Sequence, residues 1–239
     1  MVATLLWGVL VIPLTLLLRP LWPGAVDAYA ALTRATLRAY LTRLPFMRVE
    51  VEGAEGRLRG PRILVANHQS RLDSPVMIAL EPGLLGPVRG YMLRVPIIGS
   101  AIRLLGFFDA DADTATLADL RRAAAGARDT GRGLLFYPEG TRSLTGEIGV
   151  FRRGAFRAAV EHGLPIQPVV IDGLDRVFPP GHWIPPVSGR SLVRIRYLEP
   201  LHPPYGSGHR RLVARALAER VRAILVDELA RLRAERDPA

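Results

Sequence analysis

His68 and Asp73 are the side chains whose types and spacing best suit acid–base chemistry in this sequence. His68 follows an apolar run over residues 62–66, and Asp73 stands five positions later, where a helix is predicted to begin. A carboxylate bonded to one ring nitrogen of a histidine sets the tautomer and stabilises the protonated ring. The other nitrogen can then take a proton from an alcohol. Taken alone, this spacing more often belongs to a structural histidine in a loop.

A second cluster, directly after a predicted strand, combines an acid, a glycine, a hydroxyl and a guanidinium: Glu139, Gly140, Thr141 and Arg142. A glycine allows positive φ or a close approach of the backbone to a ligand. A guanidinium can hold a phosphate through charge-assisted hydrogen bonds. Taken alone, the same residues are also typical of an ordinary turn with a surface ion pair.

A third cluster carries two more guanidiniums, Arg152 and Arg153, between Phe151 and Phe156. It leads into a predicted helix, and helix N-termini attract anions because their first amide groups lack partners. A solvated basic turn is the simpler interpretation when this cluster is considered by itself.

Alternating strands and helices are predicted to position these clusters. The predicted strands cover residues 47–53, 62–66, 133–137, 166–171 and 191–197. The predicted helices cover residues 26–44, 74–79, 96–105, 114–128, 154–162 and 207–233. Residues 176–190 are rich in proline and are predicted to be a loop. This alternation predicts an α/β fold in which a mixed, twisted sheet is flanked by helices.

Residues 1–18 carry no charged side chain and are followed by Arg19. A helix of that length would extend about 27 Å, close to the thickness of about 30 Å of a bilayer core. No basic residue precedes the apolar run, which argues against a signal peptide. A buried helix is the other alternative, but a wholly apolar one is unusual at a chain terminus. We therefore expect an N-terminal membrane-anchoring helical segment.

Residues 26–44 are predicted to form an amphipathic helix that carries Arg34, Arg38 and Arg43. Such a helix can lie on anionic lipid, although a core-packing helix with a solvated arginine face has the same pattern. Because the basic residues follow the anchor, we expect the catalytic part on the cytoplasmic side of the cell membrane. We accordingly divide the chain into an anchor with its amphipathic helix, residues 1–44, and a catalytic domain, residues 45–239.

The composition narrows the classes of function. The net charge is +10, and all 32 basic residues are arginine. This excess favours anionic surfaces such as phospholipid headgroups. The chain has no cysteine, which excludes disulfides, thiolate metal sites and a cysteine nucleophile. The arginines are dispersed among acids and the histidines lack spaced partners, so we expect no nucleic-acid partner and no bound metal.

Taken together, the clusters resemble the glycerolipid acyltransferase family, which includes the 1-acylglycerol-3-phosphate acyltransferases. The resemblance covers residues 62–171 and rests on four stretches in a fixed order: Asn67-His68 with Asp73, Glu139 to Ser143, Phe151 to Phe156 and Leu164 to Val169. It implies a membrane-bound enzyme of phospholipid biosynthesis. Such an enzyme moves a fatty acyl group from a thioester to the hydroxyl of a lysophospholipid, here most simply 1-acylglycerol-3-phosphate.

The resemblance also implies a role for each matching residue. His68 would deprotonate the acceptor hydroxyl, and Asp73 would orient and charge-balance it. The residues assigned to substrate binding are Asn67, Glu139, Gly140, Thr141, Arg142 and Arg153. The partners would be membrane phospholipid, the lysophospholipid acceptor and a thioester of coenzyme A or acyl carrier protein, which serves as a co-substrate without any further cofactor.

One position departs from the family pattern. The family has a glycine followed six residues on by an arginine that grips the acceptor phosphate, whereas here Gly106 is followed by Ala112. Asp111 and Asp113 flank that position, and carboxylates repel a phosphate. The alternative is therefore the same chemistry on a lyso-aminolipid, another lysophospholipid or a glycolipid. The arginines that would compensate are Arg94, Arg103 and Arg153.

Two other classes of protein are alternatives to an acyltransferase. A lipid hydrolase is disfavoured because the sequence has no Gly-x-Ser-x-Gly elbow, although water can replace the alcohol at the same site. A non-enzymatic binder of anionic lipid would depend on the arginines alone. Replacing His68 separates an enzyme from such a binder. An enzyme loses turnover and keeps lipid binding, whereas a binder loses lipid binding alone.

Overall fold

A mixed β-sheet lies at the centre of the computed structural model, which describes residues 10–109, 115–179, 181–182, 191–204 and 209–236. Its described strands are β1 Met47–Glu52, β2 Arg62–Ala66, β3 Leu84–Leu85, β6 Gly133–Phe136, β7 Ile166–Asp172 and β8 Ser191–Tyr197. They lie in the order β1-β8-β7-β2-β6-β3, and only β7 and β8 pair antiparallel among these described strands. The short strands β4 Pro87–Val88 and β5 Phe108–Asp109 form a separate parallel pair.

Helices cover the sheet and connect its parallel strands. The described helices are α1 Ile12–Leu18, α2 Ala25–Arg43, α3 Asp73–Leu80, α4 Gly90–Arg94, α5 Ile98–Leu104, α6 Ala115–Thr130, α7 Gly154–His162, α8 Leu174–Val177 and α9 Arg210–Arg236. A 3-10 turn covers Ala54–Gly56. The predicted α/β fold, with a mixed sheet flanked by helices, is confirmed.

Alternation along the central strand β2 divides the core into two layers, because successive side chains of a strand point to opposite faces. Ile63 and Val65 pack with α6, α7 and α9. Leu64 and Ala66 pack with α2 and α3. All four side chains are fully buried. A largely parallel sheet is expected to be covered on both faces in this way.

The predicted bounds of the long elements agree with the structure to within three residues, and strand β8 and helix α7 agree at both ends. The sequence interpretation missed β3, β4, β5 and α4, because elements of two to five residues are too short to show a period. The predicted loop over residues 176–190 is wrong at its start, where α8 continues to Val177. Residues 180 and 183–190 of that loop lie outside the described part.

The N-terminal residues 10–43 fold into two helices that pack against the rest of the molecule. Ile12 of α1 and Tyr29 of α2 are buried in a cluster with Leu104, Leu105 and Phe107. Residues 1–9 of the predicted anchor lie outside the described part, and the described remainder forms the seven-residue helix α1. None of the described helices is long and apolar enough to cross a bilayer. The spanning helix over residues 1–18 therefore stays a prediction.

Candidate active site

The candidate site forms where two neighbouring parallel strands end. Val65 of β2 pairs with Phe136 of β6, so the segments that leave these strands start side by side. One is the β2–α3 loop, residues 67–72, and the other is the β6–α7 loop, residues 137–153. Ligand sites in open α/β sheets lie beyond the carboxyl ends of the strands. Strand pairing therefore brings together the first two clusters of the sequence.

His68 and Asp73 form the contact that the sequence predicts. His68 Nδ1 lies 2.6 Å from Asp73 Oδ2, and the Asp73 side chain is fully buried while that of His68 is 21% exposed. The same Oδ2 accepts the amide hydrogens of Gln69 at 2.7 Å and Ser70 at 2.8 Å. A short side chain that accepts nearby amide groups in this way tightens a turn. This turn directs Nδ1 of His68 toward the carboxylate and leaves Nε2 on the other side of the ring.

Tyr137, to which the sequence interpretation gave no role, stacks on the imidazole. The two ring centroids lie 4.2 Å apart with an angle of 18° between the planes. Burial raises the pKa of Tyr137 well above its ordinary value, the Asp73 carboxylate raises it further, and a hydrogen bond with Ser74 lowers it. The Tyr137 hydroxyl therefore stays neutral throughout the physiological range. Its place directly after β6 was the available signal in the sequence.

Asn67 holds the start of the β2–α3 loop against β7. Its Nδ2 donates to the carbonyl of Ile171, and its Oδ1 accepts the amide hydrogen of Ile171, both at 2.8 Å. The side chain thereby continues the strand pairing one residue beyond β2, and it is buried. Both polar atoms are occupied by backbone, which makes Asn67 a positioning residue next to His68.

Glu139 links the two loops. Its Oε1 accepts the His68 amide hydrogen and its Oε2 accepts the Gly149 amide hydrogen, each at 3.0 Å. The amide of Ser143 donates in turn to the His68 carbonyl at 2.8 Å. The backbone amide and carbonyl of His68 are therefore both hydrogen-bonded, and its ring contacts Tyr137 and Asp73. The Glu139 carboxylate thus contacts the backbone of His68.

Gly140 lies close to the side chains of Arg152 and Arg89. Its φ is +73°, and a Cβ at this position would come within 2.7 Å of Arg152 Nε. Its carbonyl accepts a hydrogen bond from Arg89 Nη2 at 3.0 Å. Arg89, which the sequence interpretation did not consider, comes to the site from the segment between β4 and α4. Because that segment is far from Gly140 in the chain, no local pattern could have identified it.

We expect Gly140→Ala to lower both stability and turnover. A non-glycine residue at this φ costs about 1–2 kcal/mol, which corresponds to a fall in Tm of about 2–8 °C for a chain of this size. The Cβ also displaces Arg152 from the loop. Gly126→Ala is the matched control, because Gly126 lies inside α6 with no atom within 4 Å of the added Cβ. That variant should be at least as stable as the parent by thermal melting, and equal melting of both variants would contradict this account.

The remaining assigned residues differ in their surroundings. Arg142 is partly buried, and its Nη1 is buried without a hydrogen-bond partner among the described residues. The amide of its neighbour Ser143 donates to the His68 carbonyl, so the backbone at Arg142 lies beside the β2–α3 loop. Thr141 is exposed in the same loop, and Arg153 is exposed directly before α7. Of the assigned arginines, Arg142 is the one with a free buried donor.

The segment of the missing arginine is described only in part. Residues 110–114, including Ala112 and its acidic neighbours, lie outside the described part. Asp109 lies before them, and its carboxylate is within 3 Å of the point where a Cβ on Gly90 would stand. Of the proposed replacements, Arg94 and Arg103 are exposed on the short helices α4 and α5. Arg89 is a further arginine that the fold brings to the β6–α7 loop.

The arrangement suits removal of a proton by His68 without a serine nucleophile. The Ser70 hydroxyl donates to the Phe178 carbonyl at 2.9 Å, and the Ser74 hydroxyl lies 3.5 Å from that of Tyr137. Both hydroxyls are thus engaged away from the imidazole. A base oriented by a carboxylate and open on its other nitrogen can activate an external hydroxyl.

Comparisons with known proteins agree with this geometry. A family model described as Acyltransferase matches residues 48–172. The chain is 29% identical over 171 residues to the 1-acyl-sn-glycerol-3-phosphate acyltransferase LPAT1, chloroplastic, of Arabidopsis thaliana. The aligned region covers 70% of this chain and 48% of that protein. It is 31% identical over 158 residues to the 1-acyl-sn-glycerol-3-phosphate acyltransferase of Saccharomyces cerevisiae, covering 64% of this chain and 51% of that protein. The chain thus spans about half the length of these curated relatives.

The fold also matches a solved structure. The crystal structure of the 1-acyl-sn-glycerophosphate (LPA) acyltransferase PlsC from Thermotoga maritima superposes with a TM-score of 0.77 and 24% identity, over 95% of this chain and 89% of that one. The family model begins in β1 and continues through β7, and it includes His68, Asp73 and Glu139. The resemblance to the glycerolipid acyltransferases is thereby confirmed, and this chain belongs to the acyltransferase family.

Proposed function

We propose that this chain is a membrane-bound 1-acylglycerol-3-phosphate O-acyltransferase. It transfers a fatty acyl group from the thioester of coenzyme A or acyl carrier protein to the free hydroxyl of lysophosphatidic acid. The observation that carries the proposal is the contact of 2.6 Å between His68 Nδ1 and the buried Asp73 carboxylate. The names of the relatives in Arabidopsis thaliana and Saccharomyces cerevisiae support the choice of acceptor.

The proposed reaction is a direct transfer. The acceptor hydroxyl gives its proton to His68 Nε2 while its oxygen attacks the thioester carbonyl carbon. Asp73 stabilises the imidazolium that forms. The tetrahedral adduct collapses, the carbon–sulfur bond breaks, and the departing thiolate takes the proton from Nε2. The products are the acylated acceptor and a free thiol, and His68 returns to its starting state.

Arg142 is the proposed ligand of the acceptor phosphate. Its buried Nη1 has no partner among the described residues, and a buried donor left unpaired costs about 1–3 kcal/mol. A phosphate oxygen would satisfy it. Arg89, bonded to the Gly140 carbonyl in the same loop, is the proposed replacement for the family's second arginine. The Asp109 carboxylate lies at the start of α4 beside Gly90, the residue after Arg89.

We expect Arg142→Met to raise the KM for lysophosphatidic acid by about 10- to 100-fold with a smaller change in kcat, because a hydrogen bond to a charged group contributes about 1.5–3 kcal/mol. Steady-state kinetics at saturating donor measures both constants. Arg128→Met is the control, since Arg128 is exposed near the end of α6. An unchanged KM for lysophosphatidic acid in Arg142→Met would remove this residue from the acceptor site.

Membrane attachment is proposed from the apolar surface of the N-terminal helices. The exposed large apolar side chains of residues 10–22 are Leu10, Leu14, Leu16, Leu17, Leu21 and Trp22. Leu144 and Val150 in the β6–α7 loop are each 85% exposed. The exposed Arg19 and the net charge of +10 suit an anionic leaflet. Apolar side chains with basic neighbours are typical of a segment that inserts into the headgroup region.

We expect the triple substitution of Leu16, Leu17 and Leu21 by serine to reduce vesicle binding at least 10-fold, because each buried leucine contributes about 1.5–3 kcal/mol. Flotation with vesicles of mixed anionic and zwitterionic phospholipid measures the bound fraction. Leu212→Ser is the control, because Leu212 is 64% exposed on α9, outside the N-terminal segment. Equal flotation of the triple variant and the parent would place the membrane contact elsewhere.

The test of the whole proposal is an acceptor panel. The purified full chain, in detergent, receives labelled acyl-coenzyme A or acyl carrier protein with lysophosphatidic acid, lysophosphatidylcholine, a lyso-aminolipid or monoacylglycerol, and His68→Ala serves as the blank. Acylation of lysophosphatidic acid above the blank is the expected result. Acylation of another acceptor alone would keep the chemistry and overturn the headgroup. Release of free fatty acid without any acylated acceptor would indicate a hydrolase and overturn the proposed transfer.

A further inference from the structure

The β6–α7 loop is held by two arginines that lie about 70–90 residues later in the chain. Arg222 of α9 donates from Nε to the Gly149 carbonyl at 2.7 Å and from Nη2 to the Ile148 carbonyl at 2.8 Å. Arg233, three turns further along α9, donates from Nη2 to the Gly146 carbonyl at 2.7 Å. The carbonyls of residues 146, 148 and 149 are thus bonded to one face of the C-terminal helix.

One of these residues, Gly149, is connected to His68 through Glu139. The amide of Gly149, whose carbonyl Arg222 binds, donates to Glu139 Oε2. The other oxygen of Glu139 accepts the amide hydrogen of His68. Arg222 is therefore connected to the catalytic histidine through Gly149 and one carboxylate. No other side chain needs to be invoked along this connection.

A second, weaker connection runs from Arg233. The Gly146 carbonyl that Arg233 binds also accepts Gln69 Nε2 at 3.4 Å. The amide of Gln69 donates to the Asp73 carboxylate at 2.7 Å. Arg233 also contacts Glu147 Oε1 at 3.0 Å and Asp172 Oδ1 at 3.7 Å. The two connections end on the two members of the dyad.

Helix α9 is rigid enough to act as a support. Its inner face is buried in the main core, where Val221, Leu225 and Leu232 are fully buried. Near its end, Arg236 binds Asp172 at the end of β7, and Glu228 binds Arg196 of β8. The helix is thus attached to the sheet by both packing and ion pairs. By contrast, the loop that it supports carries exposed residues such as Leu144 and Val150.

We infer that Arg222 and Arg233 are positioning residues of the active site, which brace the β6–α7 loop so that Glu139 holds His68 in its working orientation. The fork of an arginine bonds two successive carbonyls, as Arg222 does, whereas a lysine offers a single point charge. The inference rests on the proposed acyl transfer for its effect on turnover. Its effect on loop order is independent of the reaction.

The experiment compares Arg222→Met, Arg222→Lys and Arg220→Met in the full chain. Arg220 is exposed on the same helix and serves as the matched control. For Arg222→Met we expect kcat/KM for the acceptor to fall about 10-fold, since small misplacements of catalytic groups have effects of this order or larger. We expect only partial rescue by lysine and a KM for the donor that is unchanged. Hydrogen exchange should become faster in segments 67–70 and 146–150 and stay unchanged in the β2 strand.

A double-variant cycle tests the route through Glu139. If Arg222 acts through that carboxylate, adding Arg222→Met to Glu139→Gln should lower kcat/KM by less than about 2-fold, because residues in one network are not additive. Full additivity would overturn the inferred route. Unchanged hydrogen exchange in segments 67–70 and 146–150 would overturn the inferred brace of the loop. Uniformly faster hydrogen exchange with a much lower Tm would also overturn it, because Arg222 would then contribute to stability in general. If the parent chain transfers no acyl group, the proposed function falls and the exchange result alone decides the brace.

Discussion

Replacing His68 with alanine is expected to lower kcat for acyl transfer by about 10²–10⁴-fold, the usual contribution of a general base. The imidazole is oriented by Asp73 at 2.6 Å and by stacking on Tyr137 at 4.2 Å, so its removal takes away an oriented base. The His68 side chain is partly exposed, and after its removal Asp73 Oδ2 still accepts the amide hydrogens of Gln69 and Ser70. Single-turnover transfer from a labelled thioester measures the chemical step directly.

His162→Ala is the control for this experiment. His162 ends α7, beside Pro165 and the start of β7, which is the opposite end of the sheet from His68. Its loss should leave kcat unchanged within about 2-fold, as expected for a surface substitution away from the site. Acyl transfer by His68→Ala at more than a tenth of the parent rate would refute the role of His68 as base. Loss of vesicle binding in the same variant would point to a lipid-binding function instead.

Replacing Asp73 with asparagine is expected to have an effect of the same order, about 10³–10⁴-fold in kcat. The estimate follows the loss seen when the carboxylate of a Ser-His-Asp triad becomes an amide. Asp73 Oδ2 accepts hydrogen bonds from Gln69 and Ser70 as well as contacting His68. An asparagine oxygen can keep the two amide bonds and the turn. It lacks the charge that stabilises the imidazolium, so the chemistry fails while the fold is retained.

The double variant His68→Ala with Asp73→Asn separates this role from a structural one. If Asp73 acts only through His68, the double variant should be no slower than His68→Ala alone, because residues that act as a unit are not additive. Asp129→Asn, at an exposed position near the end of α6, is the matched control and should be as active as the parent. Nearly full activity of Asp73→Asn at an unchanged Tm would mean that the carboxylate contributes only to the turn.

Much of the site could be predicted from the sequence because its central contact is local. His68 and Asp73 are separated by a single short loop, and the amide groups of Gln69 and Ser70 close that loop on the carboxylate. The strand before Asn67 is a continuous apolar run, and Pro75 stands in the first turn of the helix that begins at Asp73. Both the dyad and its place at a strand end therefore followed from nearby residues.

The contacts between distant segments could not be predicted in this way. Asn67 bonds Ile171 because β2 and β7 are neighbours in the sheet, and Glu139 bonds the amide of His68 because β2 and β6 are neighbours. A strand's own residues do not specify which other strand it will pair with. The roles of Asn67 and Glu139 in substrate binding were assigned from the family resemblance. Their contacts with backbone groups could be identified only from the fold.

The side chains on which the proposed chemistry depends could be identified from the sequence, whereas the contacts that hold them in place depend on the fold. The kinds of side chain, their order and the short His68–Asp73 spacing are properties of the chain. Arg89 at Gly140 and Arg222 at Gly149 come from elements separated from the loop by tens of residues. Such contacts form only when packing of the core fixes strand order and helix position, because burial of apolar surface rather than local pattern selects the arrangement.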